Sequence, residues 1–483
     1  MKSSESSRKA ESHQLADRIR KLREGKRLAE AEEAGTAALL QHPDDARLVA
    51  EHAETAVRSK NWGAAIKRFK LLGKLEKRTP GHDAAVLKLV AVYVALGQPG
   101  EAETLLGKAL AGHGPSLLLR KAEAELAQQH AGRGFDAARW RTLAESPELP
   151  AAGDPVRIPV LSACVAGLRL AGHREEARDL LERHYHKDNP SWKELLKDGY
   201  ARLVVFDNGH TRAEYLSKLF DPPTGDTVRS GRLAITFDVM EQTWNKEFFA
   251  YRPLSPGPTD FLAVRKRSKE DFHQDMRRAD FLSFALPVAA GYQDVVALGQ
   301  SLGAYSALYY ASWVPGCRVL ATAPRNPLHP RYAGRRYASY QLFTHEYEMP
   351  VNPGASPVIV YDPRNPEDGR YVEQSLAVAF PGALLLRYPH CGHSITRYLR
   401  DVGVLKTATL AFCDGGGFPA FDRSKRGTSP EFLRNLGKLC LRAGRLDRAR
   451  ALVLRALELG ADPERSRELL VKIDTASAGI PST

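Results

Sequence analysis

Between Asp294 and Ser312 the chain reads DVVALGQSLGAYSALYYAS, an apolar run that breaks at Gly299-Gln300-Ser301-Leu302-Gly303 and resumes as a small-residue helix. A serine between two glycines at this spacing can serve as a nucleophile. A sharp strand-to-helix reversal forces its middle residue into a strained backbone conformation. Side chains two before and two after would collide, hence glycine at both places. Ala304, Ser306 and Ala307 keep the helix small where it meets a sheet. The reversal leaves the Ser301 hydroxyl projecting, with the Leu302 N–H nearby to donate to a developing oxyanion. A glycine-rich turn whose serine merely caps a helix is the competing use. The strand before and the helix behind favour the nucleophile.

A lone serine is a poor nucleophile near neutral pH and needs a base that is itself oriented by an acid. The downstream stretch SPVIVYDPRNPEDGRYVEQSLAVAFPGALLLRYPHCGHSITRYL offers both. Asp362 closes one strand-like run. His393, in HCGHS, follows the next run and precedes ITRYL. Asp368 is the alternative acid, but it opens DGRYVEQSLAVAF and reads as a helix cap, so Asp362 is preferred. His390, directly after LLLRYP, reads as a rim residue, and His393, after Gly392, as the base.

These residues need a sheet to position them. ARLVVFDNG, GRLAITFD, TDFLAVRK, DVVALGQS, CRVLATAP, SPVIVYDP and GALLLRYP are short runs of aliphatic and β-branched residues bounded by turn formers. Such runs suit strands buried on both faces. Helical stretches lie between several of them, which predicts a doubly wound, mostly parallel α/β sheet. Reactive groups then collect beyond the carboxyl ends of the strands. With Ser301, an acid and His393 in that order, residues about 200 to 405 resemble an α/β-hydrolase domain, somewhat under half of the chain. The resemblance implies a serine hydrolase of esterase type, acting on an ester or other acyl bond without metal or cofactor. It also implies a second oxyanion donor from the loop after an early strand. Asn208 or Gly209, in VVFDNGHTRAEYL, is the candidate, although the family often has His-Gly or Gly-Gly there. The glycine run CDGGGF at Cys413–Phe418 follows the histidine and reads as a linker.

The region before the sheet has a different texture. From about Ala10 to Pro190 apolar residues recur at i, i+3 and i+4, the mark of amphipathic helices. Gly97, Gly132 and Gly172 each stand five residues before an alanine (Ala102, Ala137, Ala177), and Lys60 takes the glycine's place before Ala65. These alanines are 35 to 40 residues apart, the period of a stacked helix-turn-helix array. Glycine ends one helix and alanine lets the next approach closely. Gly444 and Ala449 repeat the phrase near the far end. The pattern resembles tetratricopeptide repeats, which implies a protein-docking surface. The expected organisation is a frayed segment 1–19, helical repeats 20–198, the sheet domain 199–410, a linker 411–428, a C-terminal helical pair 429–474 and a tail 475–483.

The chain of 483 residues is 43% hydrophobic and 26% charged, an ordinary globular composition. No run of 18 apolar residues appears, so no membrane span is expected. The polar, charged N-terminus lacks a secretory pattern, and a cytoplasmic location follows as the expectation. Five scattered cysteines lack C-x-x-C spacing and argue against a disulfide framework or structural zinc. The net charge of +13 is spread over the chain without a nucleic-acid motif and reads as a solvated basic surface. Trp244, Phe248, Phe249 and Tyr251 are candidate pocket residues. The insert carrying Arg325, His329, Arg331, Arg335, Arg336 and His345 is a candidate basic lid over an anionic or carbohydrate acyl substrate. The competing function is an interaction scaffold whose hydrolase-like domain is inactive.

Overall fold

Helices with one buried stripe build the first part of the chain, and short buried strands build the second. The computed structural model describes residues 2–25, 27–77, 79–113, 116–131, 135–146, 157–184, 199–219, 231–269, 271–332 and 343–478. The chain divides into two units, Met1–Ala213 and Glu214–Thr483.

The first unit holds α1 (Lys2–Glu24), α2 (Leu28–Gln41), α3 (Ala46–Arg58), α4 (Trp62–Leu75), α5 (Pro80–Ala95), α6 (Pro99–His113), α7 (Leu117–Ala131), α8 (Ala137–Ala144), α9 (Arg157–Leu170) and α10 (Arg174–His184). In α3 the buried Leu48, Val49, His52, Ala53 and Ala56 follow the helical period. The Asp45 side chain caps α3 by accepting the Leu48 N–H at 3.0 Å. Asn61, Thr79 and Asp136 do the same for α4, α5 and α8. Gly97 and Gly172 turn the chain with φ of +68° and +86°, and Lys60 does so at φ 57° without glycine's freedom. Ala65, Ala102 and Ala177 are fully buried, which lets successive helices pack closely. Gly132 lies outside the described residues. Residues 2–19 of the expected frayed segment lie in α1, whose Ala16 and Ile19 are buried with Ala38 and Leu48.

Eight strands form one sheet: β1 (Tyr200–Asp207), β2 (Thr211–Lys218), β3 (Arg232–Phe237), β4 (Thr259–Lys266), β5 (Asp294–Gln300), β6 (Arg318–Thr322), β7 (Val358–Tyr361) and β8 (Leu384–Arg387), in the order β1-β2-β4-β3-β5-β6-β7-β8. Each of the seven apolar runs is a strand. β2 is the addition. Its sequence TRAEYLSK alternates instead of running apolar, and Asn208-Gly209 before it is a hairpin signal. The Asn208 N–H closes the turn on the Thr211 carbonyl at 3.1 Å.

β5 lies between β3 and β6 and pairs with both in parallel, Ile235 opposite Ala297 and Ala297 opposite Val319. All residues from Val295 to Gly299 are buried, as expected of a strand covered on both faces. The second unit also contains α11 (Arg278–Ala289), α12 (Leu302–Tyr309), α13 (Pro366–Tyr371), α14 (Ile395–Asp401), α15 (Leu405–Cys413), α16 (Pro430–Arg442), α17 (Leu446–Glu458) and α18 (Pro463–Ser477). Part of the expected linker is helical, since Arg423–Thr428 forms a 3-10 turn. Gly444 at φ +68° joins α16 to α17, with Ala449 fully buried beyond it. Among the described residues no helix is long and apolar enough to cross a membrane.

Candidate active site

Strand β5 ends at Gln300 and α12 starts at Leu302, so one residue makes the reversal. Ser301 makes it with φ 54° and ψ −118°, a region an L-residue enters only when its surroundings hold it there. They do. The Ser301 N–H donates to the Thr322 carbonyl at 3.0 Å, and the Ser301 carbonyl accepts from Ala304, Tyr305 and Arg325 N–H groups, each at 3.1 Å. The flanking glycines are sterically required. A Cβ on Gly299 would lie 2.5 Å from Ala304 N, and one on Gly303 would lie 2.6 Å from the Phe237 carbonyl oxygen at the end of β3.

The loop after β8 carries His393. Its Nε2 lies 2.8 Å from Ser301 Oγ. Its Nδ1 lies 2.9 Å from Asp368 Oδ2 and 3.1 Å from Asp368 Oδ1. A carboxylate only accepts, so Nδ1 carries the proton toward Asp368 and Nε2 is left to accept from the serine hydroxyl. The Asp368 side chain is 0% exposed and that of His393 is 26% exposed. Hydroxyl, imidazole and carboxylate therefore form one continuous chain.

The preference for Asp362 as the partner of His393 is corrected. Its carboxylate is occupied by three backbone donors: the N–H groups of Arg364 at 2.8 Å, His390 at 3.0 Å and Gly392 at 2.7 Å. It shapes the histidine loop instead of touching the imidazole. The cap that Asp368 seemed to supply belongs to Asn365, whose side chain accepts from the Glu367 and Asp368 N–H groups. Asp368 lies in the first turn of α13 and faces His393. Gly369 lets α13 approach, because a Cβ there would lie 2.9 Å from the Pro363 carbonyl.

Arg325 is a site residue that sequence reasoning placed in a lid. Its Nη2 and Nε reach Asp368 Oδ1 at 2.6 and 3.0 Å, and Nη1 reaches Glu367 at 3.0 Å. Since its N–H also holds the Ser301 carbonyl, one residue ties the elbow to the acid. Its position just past β6 was the available signal. Among the described residues, the two histidines of the insert are engaged by other side chains and backbone groups. His329 is buried and donates to the Tyr347 carbonyl at 2.7 Å. The His345 ring meets the Tyr305 and Tyr310 hydroxyls at 2.7 and 3.0 Å. Arg335 and Arg336 lie outside the described residues.

The oxyanion expectation divides. Leu302 opens α12, where a helix leaves its own N–H groups unbonded, and so it retains a free donor role beside Ser301. Asn208 and Gly209 do not qualify. The Gly209 N–H donates to Asp207 at 2.8 Å, Asn208 closes the hairpin, and the turn packs on Ala95 of α5. The loop that reaches the elbow follows β3 instead, with Phe237 and Asp238 carbonyls against Gly303. In that loop the Val239 N–H is held by the Gln242 side chain at 3.2 Å. Asp238 is fully buried and receives the Lys266 N–H at 3.1 Å. Burial pushes its carboxyl pKa up, and the neighbouring Arg265 opposes that shift. Of the aromatic candidates, Phe249 lines a cavity of about 170 Å³ bordering Gly299 and Gln300, whereas Phe248 packs on Phe261 and Tyr251.

No family model matches the chain, and no curated protein matches it. Among solved structures it is similar to Est1E from Butyrivibrio proteoclasticus, at 10% identity and a TM-score of 0.29, over 44% of this chain and 99% of that one. A predicted CIB-like hydrolase from Thermoplasma acidophilum is similar at 14% identity and 0.27, over 45% and 98%. An O-GlcNAc transferase mutant from Thermobaculum terrenum is similar at 13% identity and 0.27, over 98% and 95%. At these values the chemistry is read from the site itself.

Proposed function

We propose that the chain is a serine hydrolase of the α/β-hydrolase type that cleaves an ester or related acyl bond. The observation that carries this reading is the unbroken contact series from Ser301 Oγ through His393 to Asp368, 2.8 and 2.9 Å, beginning on a residue with φ 54°. Ser301 attacks the acyl carbon as His393 Nε2 takes its proton. Asp368 stabilises the imidazolium and holds its tautomer. The tetrahedral oxygen is received by the Leu302 N–H and by a second N–H from the loop after β3, for which Val239 is the candidate once its bond to Gln242 exchanges. His393 then returns the proton to the leaving group, and a water activated in the same way releases the acyl group. The helical unit, with its repeated left-handed turns and buried alanines, supports a tetratricopeptide-like role in docking a protein partner.

A fluorophosphonate probe tests the central step. It is expected to label the wild type at Ser301 and to leave Ser301→Ala unlabelled. Labelling at another residue, or none on a folded wild type, overturns the reading.

A further inference from the structure

A cleft of about 450 Å³ opens beside His393, within the volume range of small-molecule sites. Its walls are the loop after β7, the histidine loop, and the facing sides of α16 and α18. Three carboxylates line it, and each is engaged. Asp362 is held by its backbone donors, Glu367 lies on Arg325, and Glu431 lies on Arg434 at 2.6 Å. Against them stand Arg325, Arg364, Arg434, Lys438, Arg442 and Arg465.

The cations outnumber their partners. Among the described residues no carboxylate lies within ion-pair distance of Lys438, Arg364 or Arg442, and Arg465 reaches Asp462 only at 3.8 Å. Arg434 is 4% exposed, and its Nε is buried with no acceptor. Arg434 and Lys438 are four apart on α16, and like charges at that spacing repel. Burial, and next the charge of Arg434, hold the Lys438 ammonium below its ordinary pKa. A second hollow of about 430 Å³ shares Arg434, Lys438 and Arg465 and adds Lys472 and one carboxylate, Glu468. An unsatisfied, buried guanidinium N–H among unpaired cations is an arrangement that an anion completes. Several cations from two helices suit a dianion better than a single carboxylate, which one arginine fork already satisfies.

We propose that this cleft is an anion subsite of the same reaction centre and binds a phosphate group carried by the acyl substrate, with Arg434 and Lys438 inside and Arg465 at the rim. The substrate class is then an acyl ester bearing a phosphate monoester. The proposal rests on the acyl-hydrolase reading of Ser301, and two measurements separate them. In the first, the full chain is titrated calorimetrically with inorganic phosphate at low salt and pH 8. Phosphate is expected to bind at least tenfold more tightly than acetate, and Lys438→Gln and Arg465→Gln each to weaken it about tenfold, with thermal midpoints unchanged. In the second, kcat/KM is compared for butyryl glycerol phosphate and butyryl glycerol. The wild type is expected to prefer the phosphate ester at least tenfold, and both variants to lose that preference. Phosphate binding without fluorophosphonate labelling of Ser301 would remove the hydrolase reading and leave the subsite. Labelling without phosphate binding, equal binding of acetate, or equal use of the two esters overturns the subsite.

Discussion

Replacing Asp368 by asparagine, and separately Asp362 by asparagine, distinguishes two buried carboxylates that the sequence offers for one role. Asp368 receives the His393 Nδ1 proton at 2.9 Å. An asparagine amide there presents a donor to a donor or fixes the wrong tautomer, so Nε2 can no longer accept from Ser301. Loss of that orientation and charge is expected to lower kcat on the order of 10⁴-fold, equivalent to about 5.5 kcal/mol of transition-state stabilisation. Folding is expected to change far less, because Arg325 keeps Glu367 as a partner at 3.0 Å. Asp362→Asn acts in the opposite direction. Its carboxylate satisfies the Arg364, His390 and Gly392 N–H groups, and an amide nitrogen turned toward any of them leaves a buried donor unpaired. Losing one such charged hydrogen bond costs about 1.5–3 kcal/mol, so the thermal midpoint falls while kcat of the folded fraction falls less than for Asp368→Asn. Aryl-ester turnover and thermal unfolding on both variants are the assays. If Asp368→Asn kept activity within tenfold of wild type while Asp362→Asn, unaltered in stability, lost a thousandfold or more, the acid would be Asp362 and the contact series at Asp368 would be incidental.

Three further outcomes follow from local geometry. Gly303→Ala sets a Cβ 2.6 Å from the Phe237 carbonyl oxygen; backbone cannot yield as a side chain would, so a loss of about 1–3 kcal/mol is expected in denaturant unfolding, and an unchanged midpoint would refute the need for glycine there. Lys60→Gly relieves a left-handed backbone at φ 57° and is expected to stabilise the helical unit by about 1 kcal/mol, whereas Gly97→Ala, at φ +68°, is expected to destabilise it comparably. His273 is fully buried, and burial, followed by the charge of Lys266, pulls its pKa to about 3. The native imidazole stays neutral while the unfolded chain takes up a proton below about pH 6.5, so its contribution is complete above that pH and lost as pH falls toward 3. By linkage the loss is about 2 kcal/mol at pH 5, and His273→Phe is expected to flatten the stability profile between pH 6.5 and 3; an unaltered slope would mean that other groups carry the acid sensitivity.

Legibility in the sequence followed how local each constraint is. The elbow could be read because its steric demand is met by Gly299 and Gly303 within five residues. Seven strands could be read because burial on both faces leaves an apolar run. β2 could not, since it lacks the continuous apolar run of a strand buried on both faces, and Asn208-Gly209 reads as an oxyanion loop as readily as a hairpin turn. The acid is hard to read for a similar reason. Both Asp362 and Asp368 lie near a strand end, and only the competition for backbone donors separates them. Asn365 claims the cap of α13, and three N–H groups claim Asp362, so Asp368 alone is left for the imidazole. No spacing rule encodes that division.

The C-terminal helices also belong to the argument about the histidine. Asn435 on α16 donates to the Cys391 carbonyl at 3.0 Å, and its amide leaves no room for a Cβ on Gly392, which would lie 2.7 Å from Asn435 Nδ2. The His390 ring meets Phe432 edge-on at 6.3 Å. Gly392 takes φ +69° with glycine's freedom, but His390 stands at φ 72°, so the loop that delivers His393 is strained at that residue and needs outside support to persist. Asp362 supplies that support from the sheet side and α16 from the other. The helix that braces the base also carries Arg434 and Lys438. An anion drawn to those two residues would therefore bind on a helix that also contacts the histidine loop.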